Sequence, residues 1–171
     1  MIFVTVGSDV PFSRLVRQAD VWSKGHPGER VFAQVGRLGP ADYVPEAMDW
    51  TEMIPSDQFD RKCAEARLIV AHAGMGSIIS ALAAGKPIVI LPRSAGLRET
   101  RNDHQFATAE RFAHRSGVFV ARTQDELPGV IGEALARSGT APVQVLQEFA
   151  PADFTERLRE FILRGHQPSD D

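Results

Sequence analysis

"VAHAGMGSIISALAAGKPIVILP" runs from Val70 to Pro92, and its punctuation decides the fold. An apolar stretch ends at Ala73. A turn with Gly74 and Gly76 follows, then an apolar segment from Ser77 to Ala84 at helical spacing, a stop at Gly85, and a second apolar run from Pro87 to Pro92. Short β-branched runs bounded by glycine and proline read as buried strands, and the segment between them as a helix. Glycine is a poor helix former, so its presence where a helix begins needs a reason. One reason is a tight strand-to-helix turn; the other is a backbone laid bare for a ligand.

The same grammar extends in both directions. "IFVTV" (Ile2 to Val6), "RVFAQV" (Arg30 to Val35), "AMDWTEMI" (Ala47 to Ile54), "LIVAHA" (Leu68 to Ala73), "PIVILP" and "GVFVA" (Gly117 to Ala121) are expected strands. Between them fall expected helices. The first spans Pro11 to Lys24, with Phe12, Leu15, Val16, Ala19 and Trp22 on one face and Ser8 or Asp9 as cap. Others run from Pro55 to Ala66, Ser77 to Ala84, Asn102 to Ser116, and Thr123 to Ala136, the last capped by Thr123 with Glu126 three residues on. A final helix is expected from Ala152 to Arg164. The segment Leu38 to Val44 has weak signals, Ser94 to Arg101 is a polar loop, and Gln167 to Asp171 is a loose tail. Alternating strands and helices predict an α/β sandwich on a mostly parallel sheet, a single domain over residues 1–166.

Composition narrows the function. At 43% hydrophobic and 24% charged, 171 residues make an ordinary globular domain with a sizeable core. A net charge of -3 with scattered Lys and Arg gives no electrostatic footprint for nucleic acid. No apolar run approaches the ~20 residues of a membrane span, and no basic region followed by a long apolar run marks a signal peptide. The single cysteine, Cys63, excludes an internal disulfide, suits a reducing cytoplasm, and falls in a helical pattern as a small core residue.

In a parallel α/β sheet, ligands bind beyond the carboxyl ends of the strands. Three loops there stand out: Gly7-Ser8, the Gly74 loop and the stretch from Arg93 to Asn102. Unpaired amides at the start of the helix after Gly74 carry the positive end of its dipole and suit an anion, phosphate above all. Gly74 and Gly76 remove side chains that would hold a diphosphate away, Ser77 adds a hydroxyl, and His72 can donate to the same anion. Equally, the glycines turn the chain and Ser77 caps the helix; both readings stand at this point. The loop is no dinucleotide fingerprint, because Ile79 occupies the third glycine place, and Gly85-Lys86-Pro87 lacks the loop and hydroxyl of a nucleoside-triphosphatase site. Histidines are dispersed and no Asp-x-Asp pair ends a strand, so no metal site is expected. In "RNDHQFATA" (Arg101 to Ala109), Asn102 can cap a helix and Gln105 close the box, while His104 and Gln105 can instead bind sugar hydroxyls.

"HAGMGSIISALAAGKPIVILP" together with "RNDHQFATA" resembles the C-terminal, donor-binding domain of family 28 glycosyltransferases. "IFVTVGSDVPFSRLV" is similar to the start of its short stand-alone members. Those are the bacterial exopolysaccharide type and the catalytic half of a two-subunit eukaryotic N-acetylglucosaminyltransferase. The resemblance covers Met1 to about Gly117. It implies a Rossmann-like sheet with helices on both faces, the C-terminal half of a GT-B enzyme, holding a nucleotide-sugar without an essential metal. By the same resemblance Gly7, Ser8, His72, Gly74, Met75, Gly76 and Ser77 surround the diphosphate, Met53 and Ile54 hold uracil by main-chain contacts, and His104 and Gln105 read the sugar. Many relatives carry a glutamate for the ribose where this chain has Ser80, which leaves ribose contact to Ser80 itself or to Glu99. Arg93, Arg98 and Arg101 read as a solvated loop, or alternatively as partners for a uronic acid carboxylate.

What the resemblance implies is one subunit of an inverting UDP-sugar transferase acting on a lipid-linked acceptor in polysaccharide synthesis. His72 would stabilise the leaving diphosphate. A membrane-anchored partner subunit would bind the acceptor and hold this chain at the cytoplasmic face of the membrane. A nucleotide-sugar sensor without chemistry is the alternative; a nucleotide-sugar epimerase normally needs both domains and a longer chain.

Overall fold

The computed structural model describes residues 1–7, 10–139, 142–146, 150 and 152–164. Among these residues six strands are formed: β1 (Ile2–Thr5), β2 (Val31–Gln34), β3 (Asp49–Thr51), β4 (Leu68–His72), β5 (Ile88–Leu91) and β6 (Val118–Val120). Six helices accompany them: α1 (Ser13–Gly25), α2 (Ser56–Glu65), α3 (Met75–Ala83), α4 (His104–Phe112), α5 (Leu127–Arg137) and α6 (Ala152–Arg164). The tail from Gln167 to Asp171, and Ser8 and Asp9 as possible caps of α1, lie outside the described residues.

All pairings are parallel, in the order β3-β2-β1-β4-β5-β6. β1 is central: Ile2 stands opposite Val31 on one side and Leu68 on the other. Side chains alternate across the sheet with period two. Ile2, Val4, Leu68, Val70, Val89 and Leu91 face one layer, where they meet Leu15, Val16 and Trp22 of α1 and Leu127 and Ile131 of α5. Phe3, Ile69, Ala71, Ile88 and Ile90 face the other, against Cys63 of α2, Ile78 and Leu82 of α3, and Ala109 and Phe112 of α4. Both faces of the strands are buried, which is why "IFVT", "LIVAH" and "IVIL" read as continuous apolar runs. The expected α/β sandwich is therefore the observed fold, with the six-strand order of doubly wound nucleotide-binding sheets.

Several boundaries differ from the sequence reading. α1 begins at Ser13, with Phe12 rather than a polar residue at its cap position; Phe12 is buried and packs into the core instead. β3 is three residues long and leaves Met53 and Ile54 in the loop beyond it. α3 starts at Met75, so Gly74 occupies the cap position and Ser77 does not cap the helix. α4 spans His104–Phe112; its chain then turns, and Gly117 (φ 90°) redirects it into β6. α5 starts at Leu127 with proline in its first turn, and the Thr123 capping box is not formed: Glu126 Oε2 accepts the Arg122 N–H at 2.8 Å instead.

Cys63 is buried as expected. Burial, reinforced by the Asp60 charge, pushes its thiol up to about 11, so it stays protonated and unreactive at neutral pH.

The weakly patterned segment 38–44 is tied down by a carboxylate. Asp20 of α1, 4% exposed, accepts hydrogen bonds from Tyr43 Oη (2.7 Å), Glu46 N–H (3.0 Å) and Ala47 N–H (2.9 Å). Burial, the hydrogen bond to Asp20 and its negative charge raise the Tyr43 phenol from 10.0 to about 12. The protonated phenol is the form the fold holds, so its stabilisation is whole below pH ~10 and fades as pH rises towards ~12. Tyr43 is the single tyrosine of the sequence, so phenolate absorbance reads it directly. The expected outcome is a midpoint near 12 in the folded protein, a midpoint near 10 in denaturant, and a lowered native midpoint in Asp20→Asn.

Candidate functional site: a cleft at the strand switch point

The chain leaves β1 for β2 and β3 on one side, returns to β4 beside β1, and continues outward through β5 and β6. The connection after β1 leads to α1 on one face of the sheet, whereas the connection after β4 leads to α3 on the other. Adjacent strands whose exits diverge in this way leave a crevice between them, the usual ligand site of doubly wound sheets. Here that crevice is a cleft of about 610 Å³. Its walls are Val6 and Gly7 after β1, Gln34 at the end of β2, Met53 and Ile54 after β3, Ser56 and Phe59 on α2, and His72 at the end of β4. Gly74, Met75, Gly76, Ser77 and Ser80 follow at the start of α3, then Arg93, Glu99 and Thr100 after β5, and His104 and Gln105 on α4.

His72 shapes the cleft floor. Its ring packs against both Gly7 and Gly74. A Cβ on Gly7 would stand 2.7 Å from His72 Cε1, and one on Gly74 would stand 2.8 Å from Cδ2 and closer still to Nε2. Gly7 also has φ 80°, a conformation glycine adopts freely. These two glycines therefore make room for an imidazole. Gly76 differs: a Cβ there meets nothing within 4 Å, so this glycine borders open space. Ser77 is 7% exposed and turns its Oγ towards His72 Nδ1, 3.5 Å away. No side chain caps α3, which leaves the first-turn amides directed into the cleft.

The other walls sort the remaining sequence expectations. Among the described residues, the Ile54 amide and carbonyl and the Met53 amide have no main-chain hydrogen-bond partner. Gln105 is 6% exposed, and its Oε1 accepts the Arg93 N–H at 3.1 Å; it does not close a capping box. Asn102 is exposed and outside the cleft lining. Its Oδ1 accepts the His104 N–H at 3.3 Å and also meets His104 Nδ1, so Asn102 orients His104 rather than facing the cleft. Ser80 lines the cleft, and Ser8 lies outside the described residues.

Glu99 reaches the cleft wall with its carboxylate already engaged. Arg14 binds it through Nε (2.9 Å) and a second nitrogen (2.8 Å), and the Ser94 N–H adds a bond of 2.9 Å. The arginine cluster splits. Arg98 and Arg101 are exposed and outside the lining. Arg93 is not a solvated loop residue: it is 3% exposed, stacked 4.6 Å from the Phe12 ring, and donates to the carbonyls of Val6 (3.0 Å), Val10 (2.6 Å), Pro11 (2.9 Å) and Glu99 (3.3 Å).

Gln34, Phe59, Ser56 and Thr100 line the cleft without having been singled out in the sequence. Gln34 carried a signal, a polar residue at the end of the apolar run "RVFAQV"; the others follow ordinary helix and loop patterns.

The glycines make distinct expectations. Gly74→Ala and Gly7→Ala should displace the His72 ring, and Gly7→Ala should cost more because it adds a strained φ. Gly76→Ala should keep or slightly raise the melting temperature, since alanine favours a helix by ~1 kcal/mol over glycine. Thermal melts with the His72 ring signal followed by NMR check all three.

The sequence pattern of the glycosyltransferase family 28 C-terminal domain matches residues 1–162. Over 100 residues the chain is 35% identical to UDP-N-acetylglucosamine transferase subunit ALG13 of Eremothecium gossypii, a match covering 58% of this chain and 45% of that protein. The aligned part thus spans less than half of this relative's length. Among solved structures, the glycosyltransferase of kitacinnamycin superposes with a TM-score of 0.61 at 19% identity, over 79% of this chain and 34% of that one. CalG4, the calicheamicin glycosyltransferase, gives 0.57 at 24%, over 93% and 36%. The NMR structure of ALG13 gives 0.51 at 20%, over 92% and 93%. These likenesses establish the fold, a Rossmann-like domain corresponding to the C-terminal half of GT-B glycosyltransferases, and with the match over residues 1–162 they show that the chain belongs to the glycosyltransferase family 28 C-terminal domain family.

Proposed function

We propose that this chain is the donor-binding half of a UDP-sugar glycosyltransferase that completes its active site with a second subunit. The observation that carries the reading is the uncapped start of α3 facing an open volume beside Gly76, at the switch point of the sheet. A diphosphate there would meet oriented amides and the positive end of a helix, an interaction worth about 1 kcal/mol and more when water is excluded. The main-chain groups of Met53 and Ile54 suit a pyrimidine edge. Gln105 and His104 stand on the far wall, where the sugar would project. The name of the fungal relative, a UDP-N-acetylglucosamine transferase subunit, supports both the UDP donor and the two-chain arrangement.

The transfer would run by direct displacement. An acceptor hydroxyl oxygen attacks the anomeric carbon, the bond from that carbon to the diphosphate oxygen breaks, and its electron pair leaves with UDP; configuration inverts. The hydroxyl proton passes to a base on the partner. His72 and the α3 amides would stabilise the charge that grows on the leaving diphosphate, a preorganised electrostatic contribution of up to about 3 kcal/mol. Among the described residues no three His, Cys, Asp or Glu side chains gather to hold a metal; the donor site is proposed to work without one. A lipid-linked acceptor in bacterial polysaccharide synthesis, and a partner that carries the membrane anchor on the cytoplasmic side, complete the reading. Among the described residues no helix is long and apolar enough to cross a membrane.

Calorimetry in excess chelator should show UDP binding to the isolated chain, and Gly76→Val should abolish most of it while the melting temperature holds. Binding that needs added magnesium or manganese would refute the metal-independent reading, and parallel loss of stability and affinity in Gly76→Val would make that glycine structural.

The isolated chain should transfer little or no sugar to a lipid-linked acceptor, whereas co-expression with the anchored partner should restore turnover. Robust transfer by the chain alone would place the base within these residues. Tight UDP-sugar binding without turnover, even beside the partner, would favour a sensor.

A further inference from the structure

We infer that Gln34 is a positioning residue that sets the separation between the two walls of the cleft; the inference rests on reading that cleft as a nucleoside diphosphate site. Gln34 closes β2, next to β1 in the sheet and next to β3 on its other side. It is 3% exposed yet lines the cleft. Its Nε2 donates to two carbonyls that belong to different walls, Gly7 at 2.9 Å and Glu52 at 3.1 Å, and touches Met53 Sδ at 3.3 Å. Its Oε1 accepts the Thr5 hydroxyl at 2.6 Å. Thr5 Oγ1 in turn accepts the Gly7 N–H at 3.2 Å.

The arrangement removes the freedom that Gly7 would otherwise have. A glycine at φ 80° can rotate its flanking peptides at little steric cost. Here its N–H is held by Thr5 and its carbonyl by Gln34, so the backbone is fixed where the His72 ring packs on it. The same amide group fixes Glu52, and with it the start of the Met53–Ile54 segment. One side chain thus links the phosphate-facing wall to the base-facing wall. Neither carbonyl lies within a strand. That of Glu52 also accepts the Gly36 N–H at 2.9 Å, so Gln34 adds a side-chain bond to a main-chain one on that wall and ties it to the Gly7 carbonyl on the other. A leucine at position 34 would fill similar volume and serve packing equally well. Only an amide can accept from Thr5 while donating to two carbonyls.

A ligand that spans both walls is sensitive to their separation, since misplacement of about 1 Å can cost about a hundredfold in an oriented site. The expected consequence is a loss that appears for UDP but not for its parts. Gln34→Leu should weaken UDP by about tenfold or more, while uridine and inorganic pyrophosphate, each read by NMR titration, should change by less than about threefold. In the absence of ligand, Gln34→Leu and Thr5→Val should both move the His72 ring and Met53 methyl signals, and Thr5→Ser should restore most of the difference. If Gln34→Leu does not fold, the contrast between Thr5→Val and Thr5→Ser decides the matter. A folded variant with unmoved His72 and Met53 signals, or with UDP, uridine and pyrophosphate weakened alike, would overturn the inference. Wild-type protein that binds no UDP would refute the donor-site reading, and the ligand-free signals would still test whether Gln34 holds the walls.

Discussion

The close approach of His72 to Gly7 and Gly74 is the constraint on which the rest of the cleft depends. The ring sits at the end of the strand beside β1, where the exits of β1 and β4 part towards opposite faces of the sheet. An imidazole fits there only because neither neighbouring loop carries a Cβ at the contact. This assigns the three glycines to two tasks. Gly7 and Gly74 admit the ring; Gly76 leaves the volume in front of the α3 amides empty. Neither alternative posed by the sequence describes Gly74, which makes room for a side chain of the same chain, whereas Gly76 borders open space.

The far wall is held by a buried cation. A guanidinium at 3% exposure is costly to desolvate, and Arg93 offsets that cost with four carbonyl acceptors and the face of Phe12. Three of those carbonyls, from Val6, Val10 and Pro11, lie along the connection that leaves β1, and the fourth belongs to Glu99. Arg93 therefore clamps the loop after β5 to the loop after β1 across the intervening strand β4. The Arg14–Glu99 pair repeats the link a few residues on, at side-chain exposures of 14% each. Arginine suits the task because its planar fork presents several donors at fixed angles, which lysine does not.

Sheet and layers were legible because they rest on local pattern. The continuous apolar runs "IFVT" and "IVIL", buried on both faces, and the glycine and proline stops are properties of neighbours in the chain, and they placed each strand within a few residues. Helix starts were harder. Gly74 and Gly76 look like breakers, yet α3 begins between them: Gly74 stands at the cap position, where the backbone is extended and glycine is tolerated, and only Gly76 falls inside the first turn. The Asn102 and Thr123 capping boxes failed differently: Asn102 stands one place before the cap and accepts the first amide of α4, that of His104, while Glu126 turns to the Arg122 N–H. Least legible were the contacts that define the walls. Arg93 meets acceptors 82 to 87 residues away, and Gln34 joins segments 27 residues before it and 18 after it. No local periodicity encodes such distances, and an arginine after a strand is by frequency an exposed residue.

Electrostatics follow from Ser80. Many relatives of this family, as the sequence resemblance implies, carry a glutamate at that turn of α3. Here the carboxylate nearest the cleft is Glu99, and both of its oxygens are committed to Arg14. A charge bound in two directions by a guanidinium projects little field and cannot rotate to meet a pair of ribose hydroxyls without breaking that pair. Ser80, one turn into α3, offers a hydroxyl at the cleft wall without bringing a negative charge next to the place where an anion would sit. The amides of α3 then act on that anion without a competing carboxylate on their own helix, since neither the first turn nor the rest of Met75–Ala83 carries an acidic residue. On the proposed reading, the site would give up a bidentate ribose contact and gain a more positive floor. Recognition would then rest on the two ends of the nucleotide, the base and the diphosphate, rather than on the ribose.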